Sequence, residues 1–364
     1  MKILILNFQR TGDIIQTFHI VNSIIRTSPD SRIFYLTNNI HASSLKLIEE
    51  YIEEFIAIDY FTLYQNFKNN KISKGFIYLK NILRKLKENK FDRVINLNFS
   101  RLGAIVASLL SDDVIGAQLK NSGEIKIENR YFKELFLNLE NPNFKVNLIE
   151  MLLRGLGLPY FPSVSIKDYS NREKFKVILH PGASREEKKW GIENFTQLTK
   201  LIFNYFKGNA EFYITGSKSE AGENQKICES LKTCGIKIEN LSGKKDLLEL
   251  KNLIQNSDIL ISGDTSIAHL ASLTKITIVT IFLGNAYHFH TYPYSPDNIV
   301  IFPDIKCYPC NANFICKEQK CKKCITPEIV FKAISNQLQN NVMRTFLSKD
   351  GYVKLGDIKV VRSL

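Results

Sequence analysis

The feature that most constrains this chain is an alternation. Short β-rich apolar runs with no helical stripe take turns with segments whose apolar residues recur at helical spacing. Lys2 to Leu6 reads as a strand, Thr11-Gly12-Asp13 as a tight turn, and Ile14 to Ile25 as a helix stopped by Ser28-Pro29. Arg32 to Thr37, Phe55 to Ile58 and Arg93 to Leu97 then read as strands, and Ala42 to Tyr51, Phe76 to Lys87 and Leu102 to Leu110 as the helices among them. Such alternation calls for parallel strands joined by crossover helices. After a helix-like stretch, Val146 to Leu156, the texture changes to Gly157-Leu158-Pro159-Tyr160-Phe161-Pro162-Ser163 and the polar run Lys167 to Lys174, which reads as a linker. The alternation restarts with strands at Lys176 to His180, Glu211 to Thr215, Asp258 to Ser262 and Ile276 to Phe282. Helices are expected at Ile192 to Tyr205, Glu220 to Leu231, Leu247 to Gln255 and His269 to Leu273. The expectation is an α/β protein with two doubly wound domains, 1–160 and 171–330, followed by 331–364, and a ligand cleft between the halves at the carboxyl ends of the strands.

Composition agrees and narrows the partners. The 364 residues are 44% hydrophobic, enough for two cores, and Lys+Arg 49 against Asp+Glu 36 leave a net charge of +13. That charge suits an anionic partner, whether nucleic acid, an acidic membrane surface or a phosphorylated substrate. No apolar run approaches the roughly 18 residues needed to span a bilayer. Met1 to Phe8 is too short for a signal peptide, so a cytoplasmic protein able to touch the inner membrane face is expected.

Three segments fall at carboxyl ends of expected strands. In Thr11-Gly12-Asp13, Gly12 lets the backbone turn, and Asp13 sits in the first helical turn. There it either faces the cleft or simply complements the helix dipole. In His180-Pro181-Gly182-Ala183-Ser184, followed by Arg185, Lys188 and Lys189, small residues admit phosphate oxygens to backbone N–H groups while cations neutralise them. The plain alternative is a solvated basic loop. In Ser262-Gly263-Asp264-Thr265-Ser266-Ile267-Ala268-His269, the N–H groups of Thr265 and Ser266 open a helix and make an anion site. Asp264 can bind sugar hydroxyls, and His269 faces the same end one turn later, although a lone capped helix would look similar.

Four segments taken in order carry a resemblance: Met1-Lys2-Ile3-Leu4-Ile5 through Gly12-Asp13; His180 to Ser184 with Lys188-Lys189-Trp190; Leu241-Ser242-Gly243 before the helix at Leu247; and Asp264 to His269. This set resembles glycosyltransferase family 9, whose best known members are the heptosyltransferases of lipopolysaccharide core assembly. The resemblance implies a GT-B architecture of two Rossmann-like domains, the first binding mainly acceptor and the second the nucleotide-sugar, with inversion and no metal required for catalysis. By position, Asp13 corresponds to the family's general base and Lys188 to its phosphate-contacting lysine. Ala183 and Ser184 correspond to the turn beside the nucleotide, and Thr265, Ser266 and His269 to the pyrophosphate and sugar loop. Gly182, Arg185, Lys189 and Asp264 fall on the donor side, and Thr11, Gly12 and Gln16 on the acceptor side. The chain departs from the family at Ser266, where Gly is usual, at Gln16, near a position often His, and at Gly191, where Pro usually follows the tryptophan. The resemblance also implies a C-terminal helix that can cross back to the first domain, although Lys349-Asp350-Gly351-Tyr352 reads as a hairpin turn.

Two features stand apart. Cys307, Cys310, Cys316, Cys321 and Cys324 hold two C-x2-C knuckles, enough for one tetrahedral structural zinc with a thiol to spare. An iron–sulfur cluster, or thiols that are reduced or disulfide-linked, are the alternatives. Residues 68–93 interleave cations with apolar residues, suiting either a helix lying on anionic lipid or a core-facing helix with a solvated basic face. The sequence as a whole reads as a glycosyltransferase that moves a sugar, by resemblance heptose from ADP-heptose, to a lipopolysaccharide-core or similar acceptor, lipid-linked or saccharide. The rivals are a GT-B epimerase, a transferase acting on protein or peptide, and a basic zinc-knuckle protein binding nucleic acid. The last leaves the phosphate-binding loops without a purpose.

Overall fold

The computed structural model describes residues 1–69, 72–138, 141, 143–162, 174–285, 287–310, 316, 318–339, 353–355 and 358–362. It divides into two compact units, Met1–Phe161 and Pro162–Leu364. The first comprises β1 (Lys2–Asn7), α1 (Thr11–Gln16), α2 (Phe18–Thr27), β2 (Arg32–Asn38), a 3-10 stretch Asn39–Tyr51, β3 (Glu54–Ile58), α3 (Tyr60–Lys68), α4 (Ile72–Glu88), β4 (Arg93–Asn96), α5 (Arg101–Leu110), β5 (Val114–Leu119), β6 (Ile125–Ile127), α6 (Arg130–Asn138) and α7 (Leu148–Leu156). The second begins with β7 (Phe175–His180), α8 (Ile192–Tyr205), β8 (Ala210–Ile214), α9 (Ala221–Lys232), β9 (Ile238–Asn240), α10 (Leu247–Gln255), β10 (Ile259–Gly263) and α11 (Ser266–Ala271). It continues with β11 (Thr277–Ile281), α12 (His288–Thr291), β12 (Asn298–Pro303), α13 (Lys320–Cys324), α14 (Pro327–Gln339), β13 (Val353–Leu355) and β14 (Ile358–Arg362).

The first sheet runs β3-β2-β1-β4-β5-β6 and the second β13-β14-β12-β11-β10-β7-β8-β9. Both are parallel except at their ends, where β6 pairs antiparallel with β5 and the β13–β14 hairpin adds antiparallel to β12. Central strands are covered on both faces and so are apolar throughout. Leu4, Ile5 and Leu6 in β1, and Val177, Ile178 and Leu179 in β7, are fully buried. Each unit has its own core: Leu4, Leu6, Phe34, Leu36, Leu83 and Val106 anchor the first, and Val177, Leu179, Trp190, Phe195, Ile261 and Val279 the second.

Two expectations change. The helix expected from Ile14 to Ile25 is two helices, because the Thr17 hydroxyl donates back to the Ile14 carbonyl at 2.7 Å and bonds Tyr35 Oη at 2.9 Å, which breaks the run. Ala42 to Tyr51 lies within a 3-10 stretch with a kink at Ile48. At the end of the chain β14 pairs with β12 from Ile299↔Arg362 to Pro303↔Ile358 and is grouped with the second unit. The hairpin turn expected at 349–352 and the polar run at 167–173 lie outside the described residues. Among the described residues no helix is long and apolar enough to cross a membrane.

Candidate active site

In the second sheet the strand order reverses between β7 and β10, and it is at such switch points, outside the carboxyl ends, that α/β sheets bind ligands. Both loops expected on the donor side start there. His180 ends β7 and pairs in register with Ser262 of β10, whose last residue is Gly263. The fold therefore brings together two segments some 80 residues apart in sequence.

At their meeting point Lys188 Nζ lies 3.0 Å from Asp264 Oδ2, with side chains only 19% and 12% exposed. His269 Nε2 is 3.8 Å from Asp264 Oδ1. Burial pushes the His269 imidazole down to about 4, against the pull of the Asp264 carboxylate and with the help of the Lys188 charge. At neutral pH the His269 imidazole is thus neutral and donates through a single ring nitrogen beside the Lys188–Asp264 ion pair. Thr265 caps α11 with extended backbone, and Ser266 opens the helix exposed to solvent.

The loop after β7 is shaped by a contact the sequence did not reveal. A Cβ at Gly182 would run into the Glu220 carboxylate, which would have to shift to admit it. Glu220 is held in turn by Ser217, whose backbone N–H and Oγ donate to Oε2 at 2.6 and 2.8 Å. His180, bonded through Nδ1 to Thr215 Oγ1 at 3.1 Å, is pushed down to about 4 by burial, opposed by the Glu220 charge. An acid at the end of the strand next to a phosphate loop is where nucleotide-binding sheets place the group that accepts ribose hydroxyls. The available signal was an acid just past the second strand of the domain.

Two expected phosphate ligands are otherwise engaged. Lys189 Nζ sits 3.0 Å from Glu186 Oε2 and 2.9 Å from Glu223 Oε2, and these acids hold its pKa up. Arg185 Nε pairs with Glu187 Oε1 at 2.5 Å. Their charge is neutralised locally, which leaves Lys188 as the cation directed at Asp264. Trp190 is buried and its Nε1 donates to the Ile325 carbonyl at 2.7 Å, fixing the loop between Lys188 and α8. Gly191 follows with φ +109°, a conformation closed to proline, so the departure from the family's Pro reflects a different backbone here.

In the first unit Asp13 stands at the third position of α1 and accepts from the Arg10 backbone N–H at 3.3 Å as part of a capping box. Thr11 Oγ1 bonds His41 Nδ1 at 3.0 Å. Thr11, Gly12 and Asp13 are partly exposed, whereas Gln16 is only 1% exposed, carried with Ile14 and Ile15 to the inner side of α1. Gln16 is accordingly withdrawn from the surface that Thr11 and Asp13 share.

The five clustered thiols make local contacts. Cys310 Sγ donates to the Cys307 carbonyl at 3.3 Å, Cys324 Sγ to the Cys321 carbonyl at 3.2 Å, and Gln319 N–H to Cys316 Sγ at 3.4 Å. The Cys310 backbone N–H donates to Gly284 O at 2.9 Å. A Cβ at Gly284 would lie 3.1 Å from Glu187 Cγ, so the segment abuts the loop that carries Lys188. Among the described residues no group of three or more His, Cys, Asp or Glu is placed to hold a metal ion, and residues 311–315 and 317 lie outside that set.

Comparison with known proteins bears on this arrangement. The sequence pattern of "Glycosyltransferase family 9 (heptosyltransferase)" matches residues 160–322, the stretch that contains the loops after β7 and β10. Lipooligosaccharide heptosyltransferase 2 of Campylobacter jejuni is 26% identical over 300 residues, covering 80% of this chain and 92% of that protein. Among solved structures, the Escherichia coli ADP-heptose lipopolysaccharide heptosyltransferase II superimposes with a TM-score of 0.63 at 17% identity, covering 93% of this chain and 99% of that one. A family 9 glycosyltransferase from Veillonella parvula superimposes at 0.66, also at 17% identity, with 93% and 97% covered. The likeness to the solved structures shows the fold, which is GT-B. Together with the family pattern falling on the β7 and β10 loops, it supports a glycosyltransferase that is similar to the family 9 heptosyltransferases.

Proposed function

We propose that this enzyme transfers heptose from ADP-heptose to a lipopolysaccharide-core saccharide, in the cytoplasm, with inversion at the anomeric carbon and without a catalytic metal. In this reading an acceptor hydroxyl attacks the anomeric carbon and gives its proton to Asp13. The bond from that carbon to the diphosphate oxygen breaks, and its electron pair leaves on ADP. Lys188 receives the developing phosphate charge, the role that a divalent ion plays in metal-dependent transferases, and neutral His269 donates a hydrogen bond beside it. Glu220 takes the ribose hydroxyls.

The observation that supports the reading most is the Lys188–Asp264 pair at the switch point, 3.0 Å long and mostly buried. It holds the Lys188 side chain in place where the β7 loop and the start of α11 meet, so little reorganisation is needed when a diphosphate arrives. The names of the relatives supply the sugar and the acceptor. A thermal-shift panel with ADP, UDP, GDP and CDP tests the donor. ADP at about 100 times its Kd should add roughly 2.7 kcal/mol of stability. A larger response to UDP or GDP would move the donor class, and no response to any nucleotide would overturn the reading.

A further inference from the structure

We propose that α4 docks on an anionic phospholipid surface through its outward face. The helix is 17 residues long, about 25 Å at 1.5 Å per residue. One side is committed to the first unit's core, with Leu79, Leu83 and Leu86 buried and Tyr78 and Ile82 packed against them. The other side presents Phe76 and Ile77, 59% and 60% exposed, and around them Lys74, Lys80, Arg84, Lys85 and Lys87, all exposed. The helix contains one acid, Glu88, at its last position. The preceding helix, α3, packs on α4, and its Phe61 and Lys68 are also exposed.

A merely solvated basic face accounts for the cations but not for two large apolar side chains held in water on the same side. An interfacial helix needs both: apolar groups that enter the headgroup boundary and cations that meet anionic lipid. Basic charge without such anchors would suit nucleic-acid phosphates, and apolar residues without charge would suit a second copy of the chain. The combination selects the charged bilayer. Docking of this kind would bring the first unit to acceptors carried on lipid, but the surface stands on exposure and charge alone and does not depend on the donor assignment.

The test is co-sedimentation with vesicles of phosphatidylcholine, with and without phosphatidylglycerol. The wild-type chain should bind only the anionic vesicles, and less as salt rises. Lys80→Glu, Arg84→Glu and Lys85→Glu together should weaken binding by about a hundredfold or more. Phe76→Ser with Ile77→Ser should weaken it by about tenfold. All these positions lie off the core stripe, and both variants should keep the wild-type thermal response to ADP, so loss of lipid binding and failure of the donor reading are read separately. Absence of wild-type binding to anionic vesicles, or unchanged binding by the charge-reversed variant, would overturn the proposal. So would tighter binding to single-stranded RNA lost in the same variants, or a wild-type dimer broken by Phe76→Ser/Ile77→Ser with vesicle binding intact.

Discussion

The two sheets share a strand order around their switch points and differ in what they put there. In the first, neutral amides tie the end of β1 to the segment after β4, where Asn98 Nδ2 donates to Leu6 O at 3.1 Å and Phe8 N–H to Asn98 Oδ1 at 2.7 Å, and tie β4 to β5, where Asn96 Nδ2 donates to Ala117 O at 2.7 Å. In the second, β7 and β10 lead to Lys188, Asp264 and His269. Amides satisfy backbone groups and hold a crevice open without a field, whereas an ammonium and a carboxylate in a mostly buried setting create one. The same topology thus carries uncharged amides at one switch point and a charged pair at the other, and the proposed reading divides the work accordingly, with Asp13 serving the acceptor and the second site the phosphorylated donor.

If that division holds, changes in the two units should separate chemistry from donor binding. Asp13→Ala should lower kcat by about 10² to 10⁴-fold, the usual contribution of a positioned base, and leave ADP affinity nearly unchanged. Steady-state kinetics beside an ADP titration reads both. Because Asp13 also caps α1, Asp13→Asn serves as control: it keeps hydrogen-bonding capacity at the cap and should lose activity equally. Parallel losses of turnover and ADP affinity would remove Asp13 from the base role. Lys188→Ala should behave otherwise, lowering kcat/KM by about 10² to 10³-fold and ADP affinity together, because the ammonium meets phosphate charge both in the ground state and as it develops.

The charged site should also show itself in stability. Burial holds His269 near 4 in the folded chain, while the unfolded chain protonates near 6.5. The unfolded state therefore binds the proton first, and stability falls as pH drops from about 6.5 towards 4. Between pH 7 and 5 this one residue should cost about 2 kcal/mol, and His269→Asn should flatten that part of the profile in urea titrations. His180, held down in the same way, should contribute a second slope of the same sign that His269→Asn leaves in place. No corresponding feature is expected from the amides of the first switch point, which do not titrate.

How much of this was legible in the sequence depended on whether the cause was local. Leu247 to Gln255 was read with both ends correct because Asp246 and Glu249 form a capping box that marks the start. The central strands were read because burial on both faces makes them continuous apolar runs. β5 and β6 were missed, since β5 carries Gly116 and Gln118 among its apolar residues and β6 has only three residues. That the loops after β7 and β10 leave the carboxyl ends of strands was legible because small residues directly after an apolar run are a local signature. The fates of the two cations within the first loop were not. Lys188 and Lys189 are neighbours in sequence, but a 3-10 turn over Glu186–Lys188 sends one ammonium to Asp264 and the other to Glu223, and no spacing rule distinguishes them.

The smallest predicted effect probes the residue that sequence spacing could not find. Glu220 touches the phosphate loop only because β8 lies beside β7, so its part in the site depends wholly on sheet order. If it accepts ribose hydroxyls, Glu220→Ala should weaken ADP binding by about tenfold, the scale of one or two hydrogen bonds to a charged group, while binding of inorganic pyrophosphate stays unchanged. Pyrophosphate is the sharper half of that measurement. Glu220 also packs against the Gly182 backbone and accepts from Ser217, so a purely structural role would loosen the loop and weaken both ligands equally. Weakening confined to the nucleoside would divide the second unit's site itself, with Lys188 answering to phosphate and Glu220 to sugar.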